Sequence, residues 1–335
     1  MKEALLYQKL ANDEVRCNLC NHFCVLKDSE LGICGCRKNV KGILMSLSYG
    51  QLITESLDPI EKKPIFNFLP GTSSYSIATV GCNLRCDNCQ NWQISQFTKD
   101  HDSPFPGYET SSQEVIERAQ ESGAQSISYT YTEPTIFMEF ALDCMKLAHD
   151  KNLKNIWVSN GYMSRACLEL ILPYLDAINI DLKFFDNNNY LKYCGCKLQP
   201  ILDNLKYLHQ HQVHLEITTL LIPNHTDTGN QLTSMAEFIA QKLSVNVPWH
   251  LSRFSPDISY KMPDTKATPM SLIDQAYKIG QSKGLNFIYV GNVADDEREN
   301  TYCPRCGFLA IKRQDYQTEI FADNGLCKNC KYEIY

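Results

Sequence analysis

Three cysteines, Cys82, Cys86 and Cys89, fall within eight positions of the stretch GCNLRCDNC. Three thiols in so short a run can act together as thiolate ligands, but a closed structural zinc site takes four ligands, and no partner cysteine follows nearby. A cubane iron-sulfur cluster held by only three cysteines keeps one iron open to a small molecule. The spacing therefore points to an iron-sulfur centre with an open position, set against a zinc site completed by a distant His or Cys, or three small buried hydrophobes.

Two further cysteine zones flank this one. Cys17, Cys20, Cys24, Cys34 and Cys36 lie near the N-terminus, and any four of them could close a zinc or auxiliary iron-sulfur site. A thiol left over, Cys34 or Cys36, would be free for redox chemistry. Near the C-terminus, Cys303-x2-Cys306 and Cys327-x2-Cys330 read as two knuckles of a zinc-ribbon-like module, with strands such as FLAIKR and TEIFA between them. Paired CxxC motifs make a closed tetrahedral site, so zinc is expected there ahead of iron-sulfur. Cys144 and Cys167 sit in helical patterns and read as core fillers. Cys194 and Cys196, in KYCGCK, read as loop thiols at the surface, or else as functional thiols with no assigned role.

Positioning such groups requires a scaffold, and the middle of the chain supplies its pattern. Strand-like runs at 75–80, 126–131, 155–159, 176–181, 214–220, 248–254 and 286–290 alternate with helix-periodic segments at 111–123, 136–152, 165–175, 201–212, 231–243 and 270–284. Such alternation implies parallel strands joined by right-handed crossovers: an α/β fold, either a doubly wound sheet or a full or partial (β/α) barrel. Function is then expected at the C-terminal ends of the strands. Three zones follow: a Cys-rich extension and linker over 1–70, including the Pro-containing DPIEKKPIFNFLPG; an α/β core over 71–295; and the module over 296–335. The polar run 98–112 reads as one long surface loop.

Composition narrows the function classes. The 335 residues carry a formal net charge of −6, which argues against a broad electrostatic grip on nucleic acid and towards a protein or small-molecule substrate. Sixteen cysteines in short clusters read as metal ligands in a reducing compartment rather than as disulfides. The N-terminus mixes charged with apolar residues, so neither a signal peptide nor a membrane span is expected, and the reading is a cytoplasmic protein.

The cysteine loop after the first core strand resembles the signature of radical S-adenosylmethionine (SAM) enzymes. In that family three cysteines hold a [4Fe-4S] cluster, and the amino and carboxylate groups of SAM occupy the open iron. The resemblance implies a partial (β/α) barrel, reductive cleavage of SAM to a 5′-deoxyadenosyl radical, and hydrogen abstraction from a substrate. The run Cys89-Gln90-Asn91 is similar to that of the glycyl-radical-enzyme activases. Thr132-Glu133-Pro134 stands where the family has a GGEP-like motif that holds the methionine amino group. Ser159-Asn160-Gly161 resembles the activases' TNG turn, and Asp181-Leu182-Lys183 their DLK run, which implies cofactor contacts for Asn91, Thr132, Glu133, Ser159, Asn160, Asp181 and Lys183. Asn88 replaces the aromatic residue usual before the last cysteine, and Val158 an aspartate. Arg253, in WHLSRFSP, is a further candidate for a pocket or carboxylate contact.

Taken with YTYTEPTIF, SNGY, NIDLKFF, YVGNV and ENTYCPRCG, these motifs resemble the radical SAM protein of the AmmeMemoRadiSam system, a relative of pyruvate formate-lyase activating enzyme. That likeness implies a one-electron donor of flavodoxin or ferredoxin type. By analogy with activases the target is the Cα hydrogen of a glycine on a partner enzyme, with a small molecule or another protein side chain as alternatives. Two rivals stand beside this reading: a non-catalytic zinc-binding scaffold, and an RNA-modifying enzyme using the same radical chemistry.

Overall fold

The structure, a computed structural model, describes residues 1–100 and 105–335. Its centre is an eight-stranded sheet: β1 (Thr54–Pro59), β2 (Ser73–Ala78), β3 (Ser126–Tyr129), β4 (Lys154–Ser159), β5 (Ala177–Asp181), β6 (His214–Leu221), β7 (Trp249–Arg253) and β8 (Ile288–Gly291). Spatial order follows chain order from β1 to β8. The pairs from β2 to β8 are all parallel, and β1 runs antiparallel to β2. Consecutive parallel neighbours need a crossover each. Five crossovers contain the helices α1 (Ser112–Glu121), α2 (Met138–Asp150), α3 (Arg165–Ile171), α4 (Gln199–Gln210) and α5 (Gln231–Phe238), and α6 (Met270–Ser282) completes the sixth, between β7 and β8.

Side-chain alternation divides the sheet into two faces. On β2 and β3, Tyr75, Ile77, Ile127 and Tyr129 belong to the main hydrophobic core, together with Phe140, Met145, Trp157 and Trp249, all buried. The alternate residues Ser74 and Ser128 join their hydroxyls at 2.6 Å, and further round the sheet Thr218 donates to the Asn179 side-chain carbonyl at 2.9 Å. The segment after β1 is packed by polar anchors: Lys63 Nζ lies 2.6 Å from Asp58, and the backbone nitrogens of Phe66 and Asn67 donate to Glu216 at 2.9 and 2.7 Å. So the Pro-containing stretch read as a linker is pinned to the core, and β1 before it is a strand that the sequence pattern did not announce.

Two small three-stranded sheets form the N-terminal region, one from Lys2–Glu3, Ile43–Ser46 and Arg37–Val40, the other from Tyr7–Lys9, Val15–Cys17 and Val25–Leu26. At the other end, Thr301–Tyr302, Leu309–Gln314 and Gln317–Ile320 make an antiparallel sheet. Of the expected loop at 98–112, residues 101–104 lie outside the described residues, and Tyr108–Glu109 is a short strand paired with Gln51–Leu52. No helix among the described residues is long and apolar enough to cross a membrane.

Candidate active site

Because β2 to β8 are parallel, their C-terminal ends share one rim of the sheet. The cysteine loop leaves β2 there. Gly81 starts it with φ of 101°, and a Cβ at this position would stand 2.2 Å from Cys36 Sγ, so both backbone conformation and space call for glycine. The loop closes into the short helix Trp92–Ser95, and Cys89 Sγ meets Ser95 Oγ at 3.2 Å. Cys82 is held at its other end by the Leu84 backbone nitrogen, which donates to its sulfur at 3.3 Å.

Glu133 caps the turn after β3 and is buried. Its Oε1 accepts from Thr135 N at 3.1 Å, Thr135 Oγ1 at 2.5 Å and Ser159 Oγ at 2.8 Å; its Oε2 accepts from Asn160 N at 2.8 Å. Burial pushes this carboxyl above its ordinary range despite those four donors. Asn160 then reaches the cysteine loop, donating from Nδ2 to Asn83 Oδ1 at 2.8 Å and standing 3.7 Å from Cys82 Sγ. Thr132 Oγ1 donates to Thr79 O at 2.8 Å and Asn91 Nδ2 to Tyr131 O at 2.8 Å, which fastens the turn after β3 to both sides of the cysteine loop.

Lys183, two residues beyond the end of β5, pairs with Asp181 at 2.9 Å and is 17% exposed along its side chain. Its burial works against the charge, but Asp181 first, and then Cys86 and Cys194, hold its pKa well above the ordinary lysine value. Arg253 stands at the end of β7 with its Nε donating to Thr268 O at 3.2 Å. Its side chain is exposed, and it has no contact with the Glu133 and Asn160 network among the hydrogen bonds of the described residues.

Cys194 and Cys196 are not surface thiols: both are buried. The turn Tyr190–Cys194 tucks under the cysteine loop, where Arg85 N donates to Cys194 O at 3.1 Å and Asp87 N to Tyr193 O at 2.9 Å. The Cys194 thiol meets that of Cys86; this contact and burial raise the Cys86 pKa. Nothing in the KYCGCK spacing indicates this, because the contact spans more than a hundred residues of chain. Cys144 and Cys167 are fully buried helix residues, as core fillers should be.

All sixteen cysteines are free of disulfides. Around the three loop thiols, Asn83 Nδ2 and Asn88 Oδ1 are buried with no hydrogen-bond partner. Buried polar atoms are rarely left so. Three unbridged thiols beside an orphaned donor and acceptor suit a bound polar group with thiolate ligands. At the far end of the protein, Cys303, Cys306, Cys327 and Cys330 bring four sulfurs within 4.8 Å of one another, the donor set of a closed metal site.

With this geometry in hand, the relatives are informative. Residues 76–238 match the radical SAM superfamily. The uncharacterized protein MJ0808 of Methanocaldococcus jannaschii is 39% identical over 331 residues, spanning 99% of this chain and 97% of that one. A pyruvate formate-lyase-activating enzyme of Clostridium pasteurianum is 23% identical over 205 residues, 56% of this chain and 81% of its own. Among solved structures, Streptococcus suis SuiB bound to S-adenosylmethionine overlaps with a TM-score of 0.50 at 13% identity, covering 65% of this chain and 49% of that one, a likeness of fold alone.

Proposed function

Since the protein belongs to the radical SAM superfamily, we propose that Cys82, Cys86 and Cys89 hold a [4Fe-4S] cluster and that SAM binds beside it, at the rim of a partial (β/α) barrel. Together the two supply hydrogen-atom abstraction through one-electron cleavage of SAM. The observation that carries this reading is the hydrogen-bonded chain from the cysteine loop through Asn160 to Glu133, which joins three successive strand ends into one site.

In this reading the protein's own groups orient the cofactor. Glu133 Oε1 is saturated by three donors while Oε2 accepts only one, so Oε2 keeps acceptor capacity for the ammonium of a methionine. Lys183 supplies a cation for a carboxylate, with Asp181 holding it in place. Thr132, Ser159 and Asn91 brace the loops that carry these groups. Arg253 is the rim residue left for contacts at the mouth. Burial of Glu133 keeps water from its carboxylate, which strengthens its polar contacts.

The 23% identical activating enzyme of pyruvate formate-lyase and the motifs GCNLRCDNCQNW, YTYTEP and NIDLK support an activase-like reaction within the AmmeMemoRadiSam group. The substrate class we propose is a protein, with a glycine Cα hydrogen as the target. A flavodoxin or ferredoxin in the cytoplasm would deliver the electron. Zinc is the metal we propose for the C-terminal four cysteines, which form a ribbon-like module on the antiparallel strands there.

Anaerobic reconstitution with iron and sulfide, followed by dithionite and SAM, should yield 5′-deoxyadenosine detectable by chromatography. Replacing Cys82, Cys86 and Cys89 by alanine should abolish it while the fold and the C-terminal metal remain. Unchanged product from that triple variant would overturn the cluster assignment.

A further inference from the structure

The five N-terminal cysteines do not behave as one set. Cys17, Cys20, Cys24 and Cys34 line a single cavity with Leu19, His22, Arg37 and Asn83. The strand Val15–Cys17 and the turn after it bring the first three together, with Cys17 N donating to Cys24 O at 2.9 Å. Gly32 leaves room on the fourth side: a Cβ there would sit 3.8 Å from Cys34 Sγ and 4.0 Å from Cys24 Sγ. Cys36 does not line this cavity, although its thiol touches that of Cys34. Its sulfur donates to Cys34 O at 3.3 Å and Val80 O at 3.4 Å, against Gly81 of the core cysteine loop.

Arg37 is the second observation. It is 1% exposed and lines the cavity, and while its Nη2 is bound to Glu139, its Nε and Nη1 have no partner. Orphaned guanidinium donors in a buried wall are costly unless they face an anion, and a thiolate-ligated metal centre is one. Thiol spacing then separates the metals. With Zn–S bonds of 2.3 Å, a zinc tetrahedron sets its sulfurs about 3.8 Å apart. The C-terminal four approach that, all lying within 4.8 Å, and among the described residues no three of the N-terminal thiols do. A wider set suits a polynuclear cluster in which each thiolate binds a different iron.

We infer that Cys17, Cys20, Cys24 and Cys34 ligate a second iron-sulfur cluster, with Arg37 as its buried hydrogen-bond donor and Cys36 outside the ligand set. This centre adjoins the first: His22, in the cavity wall, contacts Asn83 O of the core loop at 2.8 Å. The inference does not depend on SAM chemistry at the core site.

The test uses the full-length protein with Cys82, Cys86 and Cys89 all replaced by alanine, reconstituted anaerobically. Iron and acid-labile sulfide should remain at about one cluster per chain, with a Mössbauer signature of thiolate-ligated iron. Adding Cys20→Ala and Cys34→Ala should remove that iron, whereas adding Cys36→Ser should leave it, and circular dichroism on each variant separates lost ligation from lost fold. No iron in the folded triple variant, or zinc at two equivalents per chain in its place, would overturn the inference. Failure of the wild type to cleave SAM, with this iron retained, would count against the proposed function and not against this site.

Discussion

Asn160 Nδ2 donates to Asn83 Oδ1 at 2.8 Å, and this one hydrogen bond ties the end of β4 to the loop that carries Cys82. Asn160 is buried, and its Oδ1 also accepts from Tyr162 N at 2.9 Å, so its amide cannot turn without losing a second bond. Asn160→Ala removes both contacts, and Asn83 keeps only the 3.8 Å contact from the Cys82 thiol at its Oδ1, its Nδ2 having no partner already. The expected cost is about 1–3 kcal/mol. If half of that falls on the loop geometry, SAM cleavage should drop roughly two- to tenfold, with iron content measured alongside to separate poorer loading from poorer orientation.

Glu133 invites a sharper test, because every donor around it requires an acceptor. Glu133→Gln turns an amide NH2 towards some of Thr135, Ser159 and Asn160, which already donate there. The negative charge is also lost. SAM affinity, read by equilibrium dialysis against the reconstituted protein, should fall by one to two orders of magnitude, since hydrogen bonds to charged groups contribute about 1.5–3 kcal/mol. Iron content should stay unchanged. Unaltered SAM binding would remove Glu133 from the cofactor site.

Gly81 separates two causes of strain. Gly81→Ala places a Cβ 2.2 Å from Cys36 Sγ and asks alanine to hold φ at 101°. Cys36→Ala in the same chain relieves the clash but not the backbone cost, which is of order 1–3 kcal/mol. The single variant should therefore lose core iron and melt early, and the double variant should recover only part of each. Full recovery would show that crowding by Cys36 alone selects glycine here.

These residues also mark how far the sequence could be read. The seven parallel strands stood out because buried parallel strands carry short apolar runs between helical periods. Their shared direction put Cys82, Glu133, Asn160 and Lys183 on one rim before any coordinates. β1 did not stand out: TESLDP is polar, ends in proline, and lies at the sheet edge, and Asp58 on it is stabilised by Lys63 and Ser76, partners that no local pattern reveals. Spacing in the run ICGCR likewise cannot tell that Cys34 faces its cavity while Cys36 turns to Gly81. The Cys86 and Cys194 contact, Arg37 with Glu139, and Glu216 with His250 are all long-range pairs. Each depends on where the chain returns, which side-chain periodicity does not encode.

Glu216 supplies a pH dependence whose sign can be worked out. It is fully buried on β6 and accepts from His214 Nε2 at 2.8 Å, from His250 Nε2 at 2.5 Å, and from the backbone nitrogens of Phe66 and Asn67. Burial alone would raise its pKa, but the two histidines outweigh burial and hold the folded value well below the ordinary 4.5. A carboxyl with a depressed folded pKa binds fewer protons folded than unfolded, so it stabilises the fold above the unfolded value. That contribution is lost progressively as pH falls below about 4.5 towards the folded pKa. Denaturant midpoints followed from pH 6 down to pH 3 should show wild type losing stability steeply, while Glu216→Gln starts lower at pH 6 and falls with a shallower slope. Because Phe66 also accepts Arg313 Nη2 at its carbonyl oxygen, at 2.7 Å, the C-terminal module should loosen over the same interval. Faster release of its metal to a chelator at pH 4 than at pH 6, beyond the release from free cysteine peptides, is the measurement that checks this coupling.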